Sequence, residues 1–97
     1  MDVTKELCLA MLQVLDDPKG VRVVVNTNIP CLGINDDEQT VTYLIDLSDG
    51  GGEELYEHWH VTNYDGAGRE FASNIDVLNF FDDFPEGVIT EIYAESY

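Results

Sequence analysis

The segment IDLSDGGGEELYEHWHV, from Ile45 to Val61, concentrates the side chains most able to do chemistry. Five carboxylates and two histidines surround three consecutive glycines. Carboxylates and imidazoles bind metal ions, while glycine-rich turns beside a helix bind phosphate. Three functional hypotheses follow: a calcium loop, a phosphate cradle, and a metal site built on the histidines.

Neither loop hypothesis fits the segment. The matches to the calcium-binding loop of an EF-hand are Asp46, Ser48, Gly51, Glu54 and Glu57. That loop requires a ligand at its fifth position, where this chain has Gly50, and an apolar residue at its eighth, where this chain has Glu53. The segments on both sides also have strand patterns, whereas an EF-hand loop lies between two helices. A phosphate cradle is disfavoured because no lysine is near and the flanks are acidic. We therefore interpret the segment as a hairpin loop between two strands.

His58 and His60 occupy alternate positions of a predicted strand, so both imidazoles lie on one face. This spacing recurs in zinc and copper sites, but a third ligand is needed, either Cys31 or an acid from a neighbouring strand. The alternative is a pair of surface histidines beside carboxylates. We predict that no metal or cofactor is bound, and metal binding at these histidines stays open as the less favoured alternative.

The nucleophiles are poorly placed for catalysis. Cys8 lies on an apolar helix stripe, and the thiolate of Cys31 is disfavoured by the many acids. The two cysteines lack C-x-x-C spacing, which favours free thiols in a reducing compartment. The G-x-S-x-G, H-E-x-x-H and kinase motifs are absent from the sequence. We predict no enzyme and assign no catalytic residue.

Charge is the strongest feature of the composition. The 97 residues, expected to form one domain over 1–97, carry 20 Asp and Glu against 4 Lys and Arg, for a net charge of −16. Such a surface repels nucleic acid and anionic membranes and attracts basic partners. No apolar run approaches the roughly 18 residues of a membrane span, so we expect a cytoplasmic protein.

Periodicity predicts the elements that hold these acids. Helical spacing runs from Val3 to Leu15, with an apolar stripe of Val3, Leu7, Cys8, Met11, Leu12 and Leu15. Strand patterns cover 21–27, 40–47 and 55–64, and the DGAGR segment, 65–69, breaks the third. Ser73 is the predicted cap of a second helix, 74–84, and alternation favours a final strand over 88–97. In that strand, Val88, Thr90 and Ile92 are expected to face opposite to Ile89, Glu91 and Tyr93.

The predicted fold class is α+β: a small single domain with an antiparallel sheet of three or four strands and both helices packed on one face. The predicted order is α-β-β-β-α-β. The acids are spread from Asp2 to Glu95, with groups in two loops of this plan, INDDEQ and SDGGGEE, and in the second helix, NIDVLNFFDDF.

In size, dispersed acidity and element order the chain resembles small phage-encoded inhibitors that mimic nucleic acid, of the anti-CRISPR and anti-restriction type. The resemblance implies a monomer or weak dimer that blocks the basic groove of a nucleic-acid-binding protein or ribonucleoprotein complex and does not bind nucleic acid itself. The expected partner-binding residues are Asp36, Asp37, Glu38, Asp49, Glu53, Glu54, Tyr56, Glu57, Asp82 and Asp83. The alternatives are an immunity protein or antitoxin against a basic nuclease toxin, an acidic secretion-type chaperone, and adaptation to high salt.

Overall fold

The structure, a computed structural model, describes residues 2–30, 38–48, 58–63 and 68–96. Its elements are α1 (Val3–Asp16), β1 (Val21–Pro30), β2 (Glu38–Ser48), β3 (His58–Asn63), β4 (Gly68–Phe71), α2 (Asn74–Asp82) and β5 (Ile89–Ser96). The α+β class and the predicted order are confirmed, with one additional strand, β4. The final strand is confirmed as β5.

The five strands form one antiparallel sheet in the order β4-β3-β2-β1-β5. The prediction of three or four strands is wrong because DGAGR was interpreted only as a break. Gly68 and Arg69 instead open β4, where they pair with Thr62 and Val61 of β3. Cross-strand pairing overrides the weak strand preference of glycine at this edge.

Both helices lie on one face of the sheet, where α1 contacts β1, β5 and α2. The core between the layers contains Leu7, Ala10, Met11, Val14, Val23, Val25, Ile45, Leu47, Trp59, Val61, Val77, Phe81 and Ile89. The predicted inner faces of β1 and β2 are confirmed by the burial of Val23, Val25 and Ile45. Because the two helices and the sheet pack around this core, its packing determines which acidic residues lie on the same surface.

The predicted apolar stripe of α1 is wrong at its edge. Leu12 and Leu15 are 59% and 44% exposed, whereas Leu7, Met11 and Val14 are buried. Successive helical residues turn by about 100°, so a stripe centred on the buried residues leaves Leu15 to one side and places Leu12 nearly opposite. The helix therefore presents leucines to solvent.

The predicted faces of β5 are also wrong, because the pairing of β1 with β5 shifts register between Asn26 and Thr27. Thr27 pairs with Ile89, and Val25 pairs with Ile92. The shift inserts an extra residue into β5, as a β-bulge does, so Ile89 and Ile92 both pack against the core.

Side-chain caps begin both helices. The Asp2 carboxylate accepts a hydrogen bond from the Lys5 backbone N–H at 3.1 Å, and Ser73 Oγ accepts one from the Asp76 N–H at 3.2 Å. The predicted Ser73 cap is thus confirmed. Within the described ranges, neither helix is long and apolar enough to cross a membrane.

Candidate acidic interface

The predicted partner-binding residues separate into two groups. The larger group lies outside the described residues and contains Asp36, Asp37, Asp49, Glu53, Glu54, Tyr56 and Glu57. The backbone of Glu38 opens β2 opposite Pro30, while Asp82 and Asp83 end α2. Asp82 and Asp83, at the end of α2, are therefore the predicted contact acids whose side chains the structure describes.

The end of α2 meets the start of α1. Thr4 Oγ1 donates a hydrogen bond to Asp82 Oδ1 at 3.4 Å. Beside this contact lies a pocket of about 470 Å³, and the acidic residues Asp2, Asp82 and Glu86 are among those that line it. Its apolar lining residues are Val3, Phe81, Phe84, Pro85 and Ile89. We call this concavity the acidic pocket.

Sequence reasoning missed two of the three carboxylates of the acidic pocket. Neither residue was among the predicted partner-binding residues: Asp2 precedes α1, and Glu86 follows α2. They approach Asp82 because the start of α1 packs beside the end of α2. Spacing along the chain carries no signal of this contact.

A cluster of aromatic rings joins the end of α2, which lines the pocket, to strand β2 of the sheet. The Tyr43 ring of β2 makes edge-to-face contacts with Phe80, Phe81 and Phe84, at centroid distances of 6.1, 5.5 and 5.8 Å. Such pairs stabilise a fold beyond the area that they bury. The segment of α2 that precedes Asp82 and Asp83 therefore packs tightly against the sheet.

Both helices end in paired aspartates. Asp16 and Asp17 close α1, Asp82 and Asp83 close α2, and neither last turn contains a basic residue. The helix macrodipole places partial negative charge at these ends, so the carboxylates there are repelled. Their placement lowers helix stability.

Replacing Asp83 by asparagine is expected to raise the free energy of unfolding by about 0.3 to 1 kcal/mol, because it removes a charge from the negative end of the α2 dipole. Asp76→Asn is the matched control. It makes the same change in net charge in the first turn of α2, where a carboxylate is favourable, so it should lower stability instead. Urea unfolding measures both, and equal shifts would contradict the dipole effect.

The opposite face of the sheet carries mixed charges. Arg22 Nη2 pairs with Glu95 Oε1 at 2.8 Å, and His60 Nε2 contacts Glu70 Oε1 at 2.7 Å. Asp46 pairs in register with His60 across β2 and β3. On the described part of this face, carboxylates thus contact the Arg22 guanidinium and the His60 imidazole.

Among the described residues, no set of metal ligands is grouped around His60. His60 has a carboxylate contact, while Cys31 and the side chain of His58 lie outside the described part of the chain. In that part, no three His, Cys, Asp or Glu side chains are grouped to hold a metal ion. Cys8 is a half-buried free thiol.

Comparison of the chain with family models, with curated proteins and with solved structures found no match.

Proposed function

We propose that this protein is a stoichiometric inhibitor that mimics nucleic acid. It would act in the host cytoplasm by occupying the basic DNA- or RNA-binding groove of a bacterial defence nuclease complex of the CRISPR or restriction type. The observation that carries the proposal is the large excess of carboxylates on folded elements, including helix ends where those carboxylates lower stability.

The few cations leave most carboxylates unneutralised. The chain has 20 acids and 4 Lys and Arg, so at least 16 acids have no cationic Lys or Arg of their own in the molecule. Arg22 already pairs with Glu95, and the Arg69 guanidinium stacks over the Phe71 and Phe80 rings at 5.6 and 5.4 Å. The resulting field accelerates association with a basic surface.

The acidic pocket supports the proposal because it suits long cationic side chains. Arginine and lysine bury their aliphatic stems against apolar surface while the charged head stays near polar groups. Phe84 and Pro85 offer that apolar surface, and the exposed Asp82 and Glu86 offer counter-charges. A groove that binds phosphates presents such side chains.

Packing supports mimicry of a rigid polyanion. The contacts of the Tyr43 ring with Phe80, Phe81 and Phe84 pack the end of α2 against the sheet. Carboxylates ordered before binding lose less conformational entropy on association than those on a disordered acidic tail.

The test is affinity capture from cells that carry CRISPR and restriction systems, followed by a competition assay with the captured complex. The protein should recover a basic nucleic-acid-handling complex and displace its DNA or RNA. Binding should weaken as salt rises. Capture of a nuclease toxin would overturn the defence target in favour of an immunity protein, and capture that is insensitive to salt would overturn mimicry.

The double variant Asp82→Lys/Glu86→Lys tests the contact surface. Because both side chains are exposed, the fold should persist, and partner affinity should fall roughly 10- to 100-fold. Asp17→Lys/Asp76→Lys is the control, with the same change in net charge at exposed positions that do not line the pocket. Equal losses for the two double variants would show that only total charge matters.

A further inference from the structure

Helix α1 exposes two leucines that the proposed function does not use. Leu9 and Leu12 are 51% and 59% exposed and point away from the buried side of the helix. Lys5 lies four residues before Leu9, and Asp16 lies four residues after Leu12; both are exposed. The 4-3-4 spacing places all four on one helix face, as in a heptad seam. We call Lys5, Leu9, Leu12 and Asp16 the α1 seam.

The α1 seam differs in charge from the rest of the molecule. Lys5 and Asp16 balance each other, whereas the whole chain carries −16. A basic groove gains nothing electrostatically from a neutral apolar face that includes a lysine. The seam itself has no net charge and its two charges have opposite signs, although the exposed Asp2, Glu6 and Asp17 on and beside the same helix repel a second copy.

We propose that a second copy of this chain covers the α1 seam, with the two α1 helices packed antiparallel about a twofold axis. The midpoint between Lys5 and Asp16 coincides with the midpoint between Leu9 and Leu12. One twofold axis through that point therefore matches both pairs. Leu9 faces Leu12 of the partner subunit, and Lys5 faces Asp16 of the partner subunit.

Charge selects the antiparallel orientation. In a parallel pair, each Lys5 would face the same lysine of the other copy, and each Asp16 would face the same aspartate. Like charges directly opposed are destabilising, whereas the antiparallel pair forms two Lys–Asp contacts at the ends of the leucine contact. The seam is thus complementary to itself, as a twofold interface requires.

The dimer is expected to be weak and promoted by salt. The 14 residues of α1 span about 21 Å, so the helix contact is shorter than most stable interfaces require. The net charges of the two copies also repel each other, and added salt screens that repulsion. Leu15, which is also exposed, extends the apolar edge of the contact.

Sedimentation equilibrium of the full chain, from low micromolar to millimolar concentration, tests the proposal. The wild-type protein should form dimers at high concentration, more so at high salt. Leu12→Asp should abolish them, while Ile75→Asp, at an exposed apolar residue of α2 outside the seam, should not. Circular dichroism confirms that both variants are folded. A wild-type protein that stays monomeric, or dimers that survive Leu12→Asp, would overturn the proposal.

A charge swap tests the orientation. Lys5→Glu alone and Asp16→Lys alone should each weaken the dimer roughly tenfold or more, because each change opposes like charges at both ends. The double variant should restore it, and a mixture of the two single variants should form mixed dimers. Failure of the double variant to recover would exclude the antiparallel pairing. These measurements use no binding partner, so they stand apart from the test of inhibitor function.

Discussion

Phe81→Ala is expected to lower the free energy of unfolding by about 3 to 5 kcal/mol. The Phe81 side chain is 1% exposed and packs against Tyr43, Phe80 and Phe84, at centroid distances of 5.5, 4.9 and 5.6 Å. Removing the ring leaves a cavity that the surrounding rings fill only in part. Since small proteins are stable by about 5 to 15 kcal/mol, this is a large share of the total.

Urea unfolding followed by Trp59 fluorescence measures the Phe81 effect. Ile75→Ala on the same helix is the control, because Ile75 is 67% exposed and its truncation should change stability by less than about 0.5 kcal/mol. A loss below about 1 kcal/mol for Phe81→Ala would contradict the docking of α2 on the sheet. Phe81 also lines the acidic pocket, so binding is tested with the exposed Asp82 and Glu86 instead.

Asn74→Ala is expected to lower stability by about 1 to 3 kcal/mol. Trp59 is 2% exposed, and its indole Nε1–H donates a hydrogen bond to Asn74 Oδ1 at the first residue of α2. Truncating Asn74 leaves this buried donor without its acceptor. Because the bond joins β3 to α2, its loss also loosens the contact between the two layers.

Asn74→Asp is the matched control for this hydrogen bond. A carboxylate retains an acceptor oxygen at the same position and suits the positive end of the helix dipole, so the change in stability should stay below about 0.5 kcal/mol. Equal losses for the alanine and aspartate variants would show that the indole hydrogen bond contributes little. Both variants are compared by urea unfolding at the same pH and salt concentration.

Local patterns were sufficient to predict most elements of the fold. The alternation of Val23 with Val25 and of Tyr43 with Ile45 predicted two strands and their inner faces, because side chains alternate across a sheet. Ser73 predicted the start of α2 because a serine side chain satisfies a free backbone N–H there.

The errors arose where a distant strand or helix decides the outcome. β4 depends on pairing of Gly68 and Arg69 with β3, and the faces of β5 depend on a register shift against β1. The exposure of Leu12 depends on which side of α1 meets the sheet. The two sheet contacts leave no periodic signal in the local sequence, whereas the buried side of α1 has the helical spacing of Leu7, Ala10, Met11 and Val14, which the predicted stripe did not follow.

By itself, the sequence determined the α+β class, the helices and most strands, and the excess of carboxylates that motivates the inhibitor proposal. Composition and short-range periodicity carry that information. Only the tertiary structure decided that Asp2, Asp82 and Glu86 share one pocket, and that Leu9 and Leu12 remain exposed between Lys5 and Asp16. Packing of α1 against α2 and the sheet brings residues far apart in the chain together, and it selects which helix face is buried.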